Sequence, residues 1–455
     1  LLRVFEGAPH VGAVCGKGDR EPIIRLVHQV RGLIDEREML FRKRAIDSMA
    51  SYRERRLAGQ FAEEPLGDVF LIIDDLGQFQ REFEQAEGEI AELITNGLNY
   101  GIHLVVATNR WADVRPKLKD NIGSRLELRL NDPIDSDFGK AAAATVPVGV
   151  PGRGLTQAKR QYQAALPIVY GEDVTEQTPM QEAVEALVAR ARKSWSGESA
   201  PPLRMLPDRV TPADLPAPDA PDQPSGVALG IEEFRLEPVY LDLLSNVGPH
   251  FIIFGDGESG KTNLVHVLLR GLERLYTPEQ ARFSVVDYRR TSLDYAESQN
   301  LFGYAVTAAM LKDVVDKLKK ELDARMPSGA NISLEALRNP TRWEGPQHFL
   351  IVDDYDLIVT QAGNPLAPLA ELLLQARDIG LHLVVARRIA GSSRSFDQVF
   401  GRLKDMGTPG IILSGEAQEG PLLGGQKAMP QPPGRGFLVR RNQRTAQTQT
   451  VFLEG

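Results

Sequence analysis

FIIFGDGESGKTNLVHVLL, residues Phe251 to Leu269, joins three kinds of sequence in one short stretch. Four apolar residues of strand length run directly into GxxxxGKT at Gly255–Thr262, and an apolar pattern with helical spacing follows at once. A glycine-rich turn between a strand and the start of a helix aims backbone N–H groups inward, where the helix dipole favours an anion. The stretch therefore predicts a phosphate cradle. Gly255, Gly257 and Gly260 supply the turn, with Asp256, Glu258 and Ser259 filling the loop. Lys261 is placed to reach the β- and γ-phosphates of ATP, Thr262 to offer its hydroxyl to Mg2+, and Asn263 to continue the site into the helix.

Such a loop needs a carboxylate to complete its magnesium site. Asp353 ends the apolar run QHFLIVDD at Gln347–Asp354, 92 residues after Lys261, and is read as the Walker B aspartate. Asp354 beside it is the candidate for orienting water; the competing reading of the pair is a strand end that caps the next helix. Many ring ATPases place a glutamate at the second position, and an aspartate is one methylene shorter, so slow hydrolysis is expected. Apolar runs at about Phe251–Phe254, Phe283–Asp287, Phe349–Asp353, Leu381–Ala386 and Gly410–Leu413 alternate with helix-spaced stretches such as Thr262–Leu275 and Met310–Leu322. Continuous apolar runs imply strands buried on both faces, which is the condition of a parallel sheet between helix layers, so the fold class is α/β.

The two halves of the chain repeat each other. DVFLIIDD at Asp68–Asp75 returns as QHFLIVDD, YGIHLVVATNR at Tyr100–Arg110 as IGLHLVVARRI at Ile379–Ile389, and PGRG at Pro151–Gly154 as PGRG at Pro433–Gly436. Asp74 to Gly101 and Asp353 to Gly380 are both 27 positions, while Gly152 follows Asp74 by 78 and Gly434 follows Asp353 by 81. Three landmarks in one order at nearly equal spacing indicate a duplicated domain. Asp74 and Asp75 then take the metal and water-orienting places in the first copy. VGAVCGKG at Val11–Gly18 does not complete that site, since three residues separate Gly12 from Gly16 and Gly18 stands where the hydroxyl residue belongs. Projecting the spacing of the second copy backward puts the first copy's lysine before residue 1, so its phosphate loop is expected upstream and the first domain is read as truncated. Arg125 and Arg402, 51 and 49 residues after their aspartates, are candidates to reach the γ-phosphate of a neighbouring subunit, against the alternative of ordinary surface ion pairs.

Between the halves, residues 196–228 are dense in Pro, Ala and Asp and read as an extended linker, preceded by a helix-spaced run at Gln181–Ser194. The expected domains are 1–176, lacking its P-loop segment, a helix and linker over 177–228, and a complete domain over 229–455. A net charge of -8 argues against a surface devoted to nucleic acid, because that affinity comes from lysine and arginine neutralising phosphates. The single cysteine, Cys15, excludes an internal disulfide and fits a reducing compartment, and the seven histidines form no tight metal-ligand spacing. No apolar run approaches the ~20 residues that cross a bilayer.

Taken together, APHVGAVCGKGDREP, FRKRAIDSMASYRERR and ATNRWADVRPKLKDNIGSRLELRLNDPIDS in the first half resemble the second ATPase domain of the EccC proteins, the FtsK/SpoIIIE-like ATPases of type VII (ESX) secretion. DYRRTSLD, ARRIAGSSRS and GRLKDMGTPGIILSG in the second half are similar to the third ATPase domain of the same proteins. The resemblance implies two tandem RecA-like P-loop NTPase domains that bind ATP and Mg2+. It also implies a homo-hexameric ring on the cytoplasmic side of a membrane channel, contacts with other type VII membrane-complex subunits, and recognition of WXG100 (Esx-type) substrates through a C-terminal YxxxD/E signal. Three functions follow as alternatives: a protein-export motor, a nucleotide-stabilised substrate receptor that hydrolyses little ATP, and a DNA translocase, which the acidic composition disfavours.

Overall fold

The computed structural model describes residues 2–454 apart from 62, 64–65, 172–173, 217–223, 245–247, 327–344, 361–362, 393–396 and 444. The end of the ARRIAGSSRS motif and part of the Pro-rich stretch fall outside the described residues. The chain forms two compact units, Leu1–Met205 and Leu206–Gly455.

In the first unit, β1 (Val69–Ile73) and β2 (Ile102–Val106) pair in parallel. Around them lie α1 (Arg20–Arg44), α2 (Met49–Leu57), α3 (Leu76–Glu82) and α4 (Glu87–Asn96). The inner face of the strands, Leu71 and Ile73, packs with Val27, Val30 and Ile34 of α1 and Ile90 and Leu93 of α4. Downstream, α5 (Pro116–Asn121) starts on a proline at its first position, where the missing N–H costs nothing. β3 (Leu126–Leu128), α6 (Lys140–Ala143), β4 (Arg153–Thr156) and β5 (Gln161–Gln163) follow, the three strands forming an antiparallel sheet. α7 (Met180–Ser194) ends the regular structure of the unit, one residue earlier at its start than its sequence spacing suggests.

The second unit is organised by one ten-stranded sheet. Its strands are β6 (Val227–Glu232), β7 (Pro238–Leu241), β8 (Phe251–Phe254), β9 (Ala281–Val286), β10 (Leu301–Ala305), β11 (Gln347–Val352), β12 (Leu381–Arg387), β13 (Gly410–Ile412), β16 (Arg435–Val439) and β17 (Ala446–Thr450), with β14 (Pro421–Leu423) and β15 (Gln426–Lys427) forming a separate ribbon. The order across the sheet is β10, β9, β11, β12, β8, β13, β16, β17, β6, β7, parallel as far as β13 and antiparallel beyond it. β8, β11 and β12 are buried on both faces, as their unbroken apolar runs require. α8 (Lys261–Leu275) covers one face through Leu264, Val265, Leu268 and Leu272. α9 (Ala308–Asp323) and the helical turns between Ala367 and Ile379 cover the other. Thr307 caps α9 by accepting from Met310 N at 3.3 Å.

The duplication seen in sequence is present in the backbone. Ile73, one residue before Asp74, pairs with Val106, and Val352, one residue before Asp353, pairs with Val385. Asp75 and Asp354 both take left-handed φ values, 59° and 49°, as do Gly101 and Gly380 at 70° and 71° and Gly152 and Gly434 at 75° and 74°. The copies differ in what covers these strands. Phe349, Ile351 and Val384 lie in the core beneath α8, whereas Phe70, Ile72 and Val105, their counterparts on β1 and β2, are exposed.

Part of the proline-rich stretch is not a spacer. Leu206 and Val210 are buried, Val210 bridges Val451, and Asp214 accepts from both the N–H and the hydroxyl of Thr211, closing a short turn onto the second unit. Two apolar side chains spaced four apart gave too weak a pattern to reveal this among the prolines.

Candidate functional site

β8 delivers the glycine loop to the carboxyl edge of the parallel strands, between β12 and β13. The loop turns through Glu258 at φ 58° and Gly260 at φ 100°. A Cβ at Gly260 would come within 3.1 Å of Gly434 N, and one at Gly255 within 2.2 Å of Ser259 Oγ, so glycine is required at both. Gly257 corrects the expectation that all three glycines serve the turn. It lacks a positive φ and a Cβ there would meet open space, because Glu258 takes the left-handed position instead.

The cradle is fastened from outside. Asp256 N donates to Ser414 O at 2.9 Å, Asp256 Oδ1 accepts from Ile389 N at 3.2 Å, and Ser259 O accepts from Gly434 N at 2.9 Å. The PGRG motif, a repeat landmark in sequence, thus brackets the loop. Lys261 Nζ donates to Asp256 O at 2.9 Å across the turn.

Thr262 and Asp353 meet here although they are far apart in sequence. Thr262 Oγ1 donates to Asp353 Oδ2 at 2.7 Å, while Asp353 Oδ1 accepts from Asp354 N at 2.9 Å. Lys261 and Asp353 are both buried. Burial pushes the Asp353 carboxyl above the usual carboxylate range against the Thr262 hydrogen bond, with the Asp354 charge adding to the rise. Burial also lowers the Lys261 ammonium, opposed by the charges of Asp354 and Asp353. A threonine hydroxyl and a carboxylate oxygen in contact are hard oxygen ligands of the kind Mg2+ accepts, so this pair fits the ion. β12 lies between the P-loop strand β8 and the aspartate strand β11, which sets Arg388 near enough to Lys261 to help lower its pKa.

Asp354 sits in the left-handed region and is ion-paired with Arg289 of the DYRRTSLD motif. Its counterpart Asp75 uses its carboxylate as a helix cap, Oδ1 accepting from Gln78 N at 3.0 Å at the start of α3. Replacing a capping aspartate by alanine costs about 1 kcal/mol, and alanine also resists φ 59°. Asp75→Ala is therefore expected to destabilise the first unit by about 1–2 kcal/mol and Asp75→Gly by less; urea unfolding of the two variants checks the order. Asp74 is exposed at the end of β1. In the first unit, Val11–Gly18 is not preceded by a strand, and Gly16 N there donates to Asp19 Oδ2 at 2.7 Å as the chain enters α1.

The two candidate arginines do not occupy equivalent places, although their spacing matches. Arg125 lies in the connection just before β3, donating to Lys119 O at 2.6 Å and Asp137 Oδ2 at 3.2 Å. Arg402 lies within the helix Gln398–Asp405 and donates to Glu371 Oε1 at 2.6 Å. The difference arises because the helix between β2 and β3 ends before Arg125, whereas the helix between β12 and β13 contains Arg402. Asn263, expected to touch nucleotide, spends its amide on Val451 O and Leu453 N.

Beside the loop opens a cleft of about 490 Å³ lined by Gly255-loop residues from Glu258 onward and by Arg209, Gly434 and Phe452. No local motif marks Arg209 or Phe452, because each reaches the cleft only through the pairing of Val210 with Val451.

The FtsK/SpoIIIE family model matches residues 1–161 and 217–325. The ESX secretion system protein EccC of Thermomonospora curvata is 41% identical over 98% of this chain and 33% of its own length. EccCb1 of the ESX-1 secretion system of Mycobacterium tuberculosis is 33% identical over 96% of this chain and 75% of its length. The chain spans about a third of the longer EccC relatives. A solved structure, "Thermomonospora curvata EccC (ATPases 2 and 3) in complex with a signal sequence peptide", superposes with a TM-score of 0.89 at 41% identity, covering 100% of this chain and 80% of that one. Two α/β units repeated in register, a threonine and an aspartate joined beside a buried lysine, and these likenesses agree: the chain belongs to the FtsK/SpoIIIE family, as an EccC-type protein of ESX secretion that corresponds to ATPases 2 and 3.

Proposed function

We propose that this chain is an ATP-binding motor segment of a type VII secretion machine and that its second unit is the nucleotide-holding part. The observation that carries the reading is the 2.7 Å contact between Thr262 Oγ1 and Asp353 Oδ2, next to Lys261 at the mouth of the loop. The backbone of Gly255–Gly260 receives the phosphates, Lys261 exchanges its bond to Asp256 O for the β- and γ-phosphates, and Thr262 with Asp353 holds Mg2+. Bound Mg2+ neutralises charge on the phosphate oxygens. In the first unit Asp74 takes the corresponding metal position and Asp75 the corresponding water-orienting position. Arg125 and Arg402 act across subunit boundaries of a homo-hexamer, on leaving their present partners.

The segment works on the cytoplasmic side of a membrane-anchored complex; among its described residues no helix is long and apolar enough to cross a membrane. It recruits WXG100-type substrates through their C-terminal signal, in keeping with the signal-sequence peptide bound by the Thermomonospora curvata neighbour. The Arg289 ion pair and left-handed backbone of Asp354 favour a second form of the reading, in which nucleotide is held tightly and hydrolysed slowly. A fluorescent peptide bearing a YxxxD/E signal is expected to bind the chain saturably, and Asp353→Asn to lower Mg2+-dependent phosphate release by more than about tenfold. Absence of peptide binding overturns substrate recruitment, and unchanged release overturns the role of Asp353. ATP turnover stimulated by duplex DNA would instead support a DNA translocase.

A further inference from the structure

The phosphate loop forms only one end of the cleft. Another wall comes from two segments remote from the motif and from each other, Asp208–Arg209 and the residues just beyond β17. They are stitched together by the Val210–Val451 bridge and by Phe452 N, which donates to Val210 O at 2.7 Å. On this wall the Arg209 guanidinium lies over the Phe452 ring, 4.0 Å from its centroid, and donates to Glu454 Oε1 at 3.0 Å.

The ring is fixed relative to the phosphate loop by one side chain. Asn263, the residue after Thr262, donates from Nδ2 to Val451 O at 2.6 Å and accepts at Oδ1 from Leu453 N at 2.9 Å. Its amide therefore grips the backbone on both sides of Phe452 from the first turn of α8. Phe452 and the Arg209 side chain remain 41% and 53% exposed, so neither is consumed by the core. A held aromatic ring carrying a guanidinium presents a flat, polarisable surface, and both groups stack readily on nucleobases.

We propose that the Arg209–Phe452 stack is the base platform of the nucleotide site. The purine ring of ATP lies on the face of the guanidinium turned away from Phe452, while the phosphates occupy Gly255–Thr262. The inference rests on the ATP-binding reading above and adds the residues that select the base. Purines stack over a larger area than pyrimidines, so the platform favours ATP over CTP.

Calorimetric titration of the full chain with magnesium ATP, magnesium CTP and magnesium tripolyphosphate tests it, since tripolyphosphate carries the phosphates and no base. Arg209→Ala and Phe452→Ala are each expected to weaken ATP binding by about tenfold, to reduce the preference over CTP, and to leave tripolyphosphate affinity within about twofold of the unmodified chain. Unchanged ATP affinity in both variants overturns the platform. So does a parallel loss of ATP and tripolyphosphate, which would show that the pair merely supports the loop. An unmodified chain that binds tripolyphosphate but discriminates no base overturns the platform and leaves the phosphate site standing, whereas one that binds neither ligand overturns the ATP-binding reading itself.

Discussion

Lys261→Ala is expected to weaken ATP binding by at least about a hundredfold, because a charge-assisted contact to phosphate contributes about 1.5–3 kcal/mol and the proposed ATP site gives this buried lysine two such contacts. The free protein tells little, since the alanine removes a buried cation whose pKa burial already lowers, together with one bond to Asp256 O. The informative readout is the stabilisation that ligand confers. At a concentration about one hundred times the dissociation constant, ATP stabilises a binding protein by about 2.7 kcal/mol; with affinity reduced a hundredfold the same concentration gives about 0.4 kcal/mol. Thermal unfolding with and without magnesium ATP should show a clear upward shift for the unmodified chain and almost none for the variant. Equal shifts in the two proteins would remove Lys261 from the site.

Acidification from pH 7.5 to 5 should destabilise the second unit by about 4 kcal/mol, through two histidines that the nucleotide chemistry does not use. Burial drives His250 down to about 4 and His382 down to about 3, the latter helped by the nearby charge of His250. His250 must be neutral to do its work: Nδ1 accepts from Leu383 N at 3.0 Å, tying the start of β12 to the segment before β8. The unfolded chain binds protons below its ordinary pKa near 6.5 while the native state refuses them. Stability is therefore complete above about pH 6.5 and falls as the pH drops, until the folded values near 4 and 3 are reached. At pH 5 each histidine accounts for about 2 kcal/mol, a large share of the 5–15 kcal/mol that holds a domain together. Urea unfolding across this range gives the slope directly, and His382→Gln should roughly halve it. A flat profile between pH 7.5 and 5 would show that these rings are hydrated in solution.

How much of this was legible in sequence depended on whether the signal was local. The loop Gly255–Thr262, its flanking strand and helix, and the Asp353 strand are contiguous patterns, each dictated by a short-range need: a turn without side-chain clash, a buried strand, a hydroxyl one residue after a lysine. The duplication was legible because Asp74, Gly101 and Gly152 nearly keep the spacing of Asp353, Gly380 and Gly434, and the backbone bears it out in the shared left-handed conformations of Asp75 and Asp354, Gly101 and Gly380, and Gly152 and Gly434. Spacing misled where intervening structure differs, as at Arg125 and Arg402, since a nearly equal chain distance does not fix position when one residue ends a connection and the other lies in a helix.

By itself, then, the sequence determined that there are two α/β copies and that the GxxxxGKT loop and the strand-end Asp353 belong to the second. Only the tertiary structure decided what surrounds that chemistry. It closed Thr262 onto Asp353, turned Asp75 into a helix cap, paired Asp354 with Arg289, and brought Arg209 to Phe452 through a strand bridge between segments more than half the chain apart. Side chains drawn from remote positions meet only where the sheet order puts their backbones side by side, and no periodicity along the chain records which strand will lie next to which.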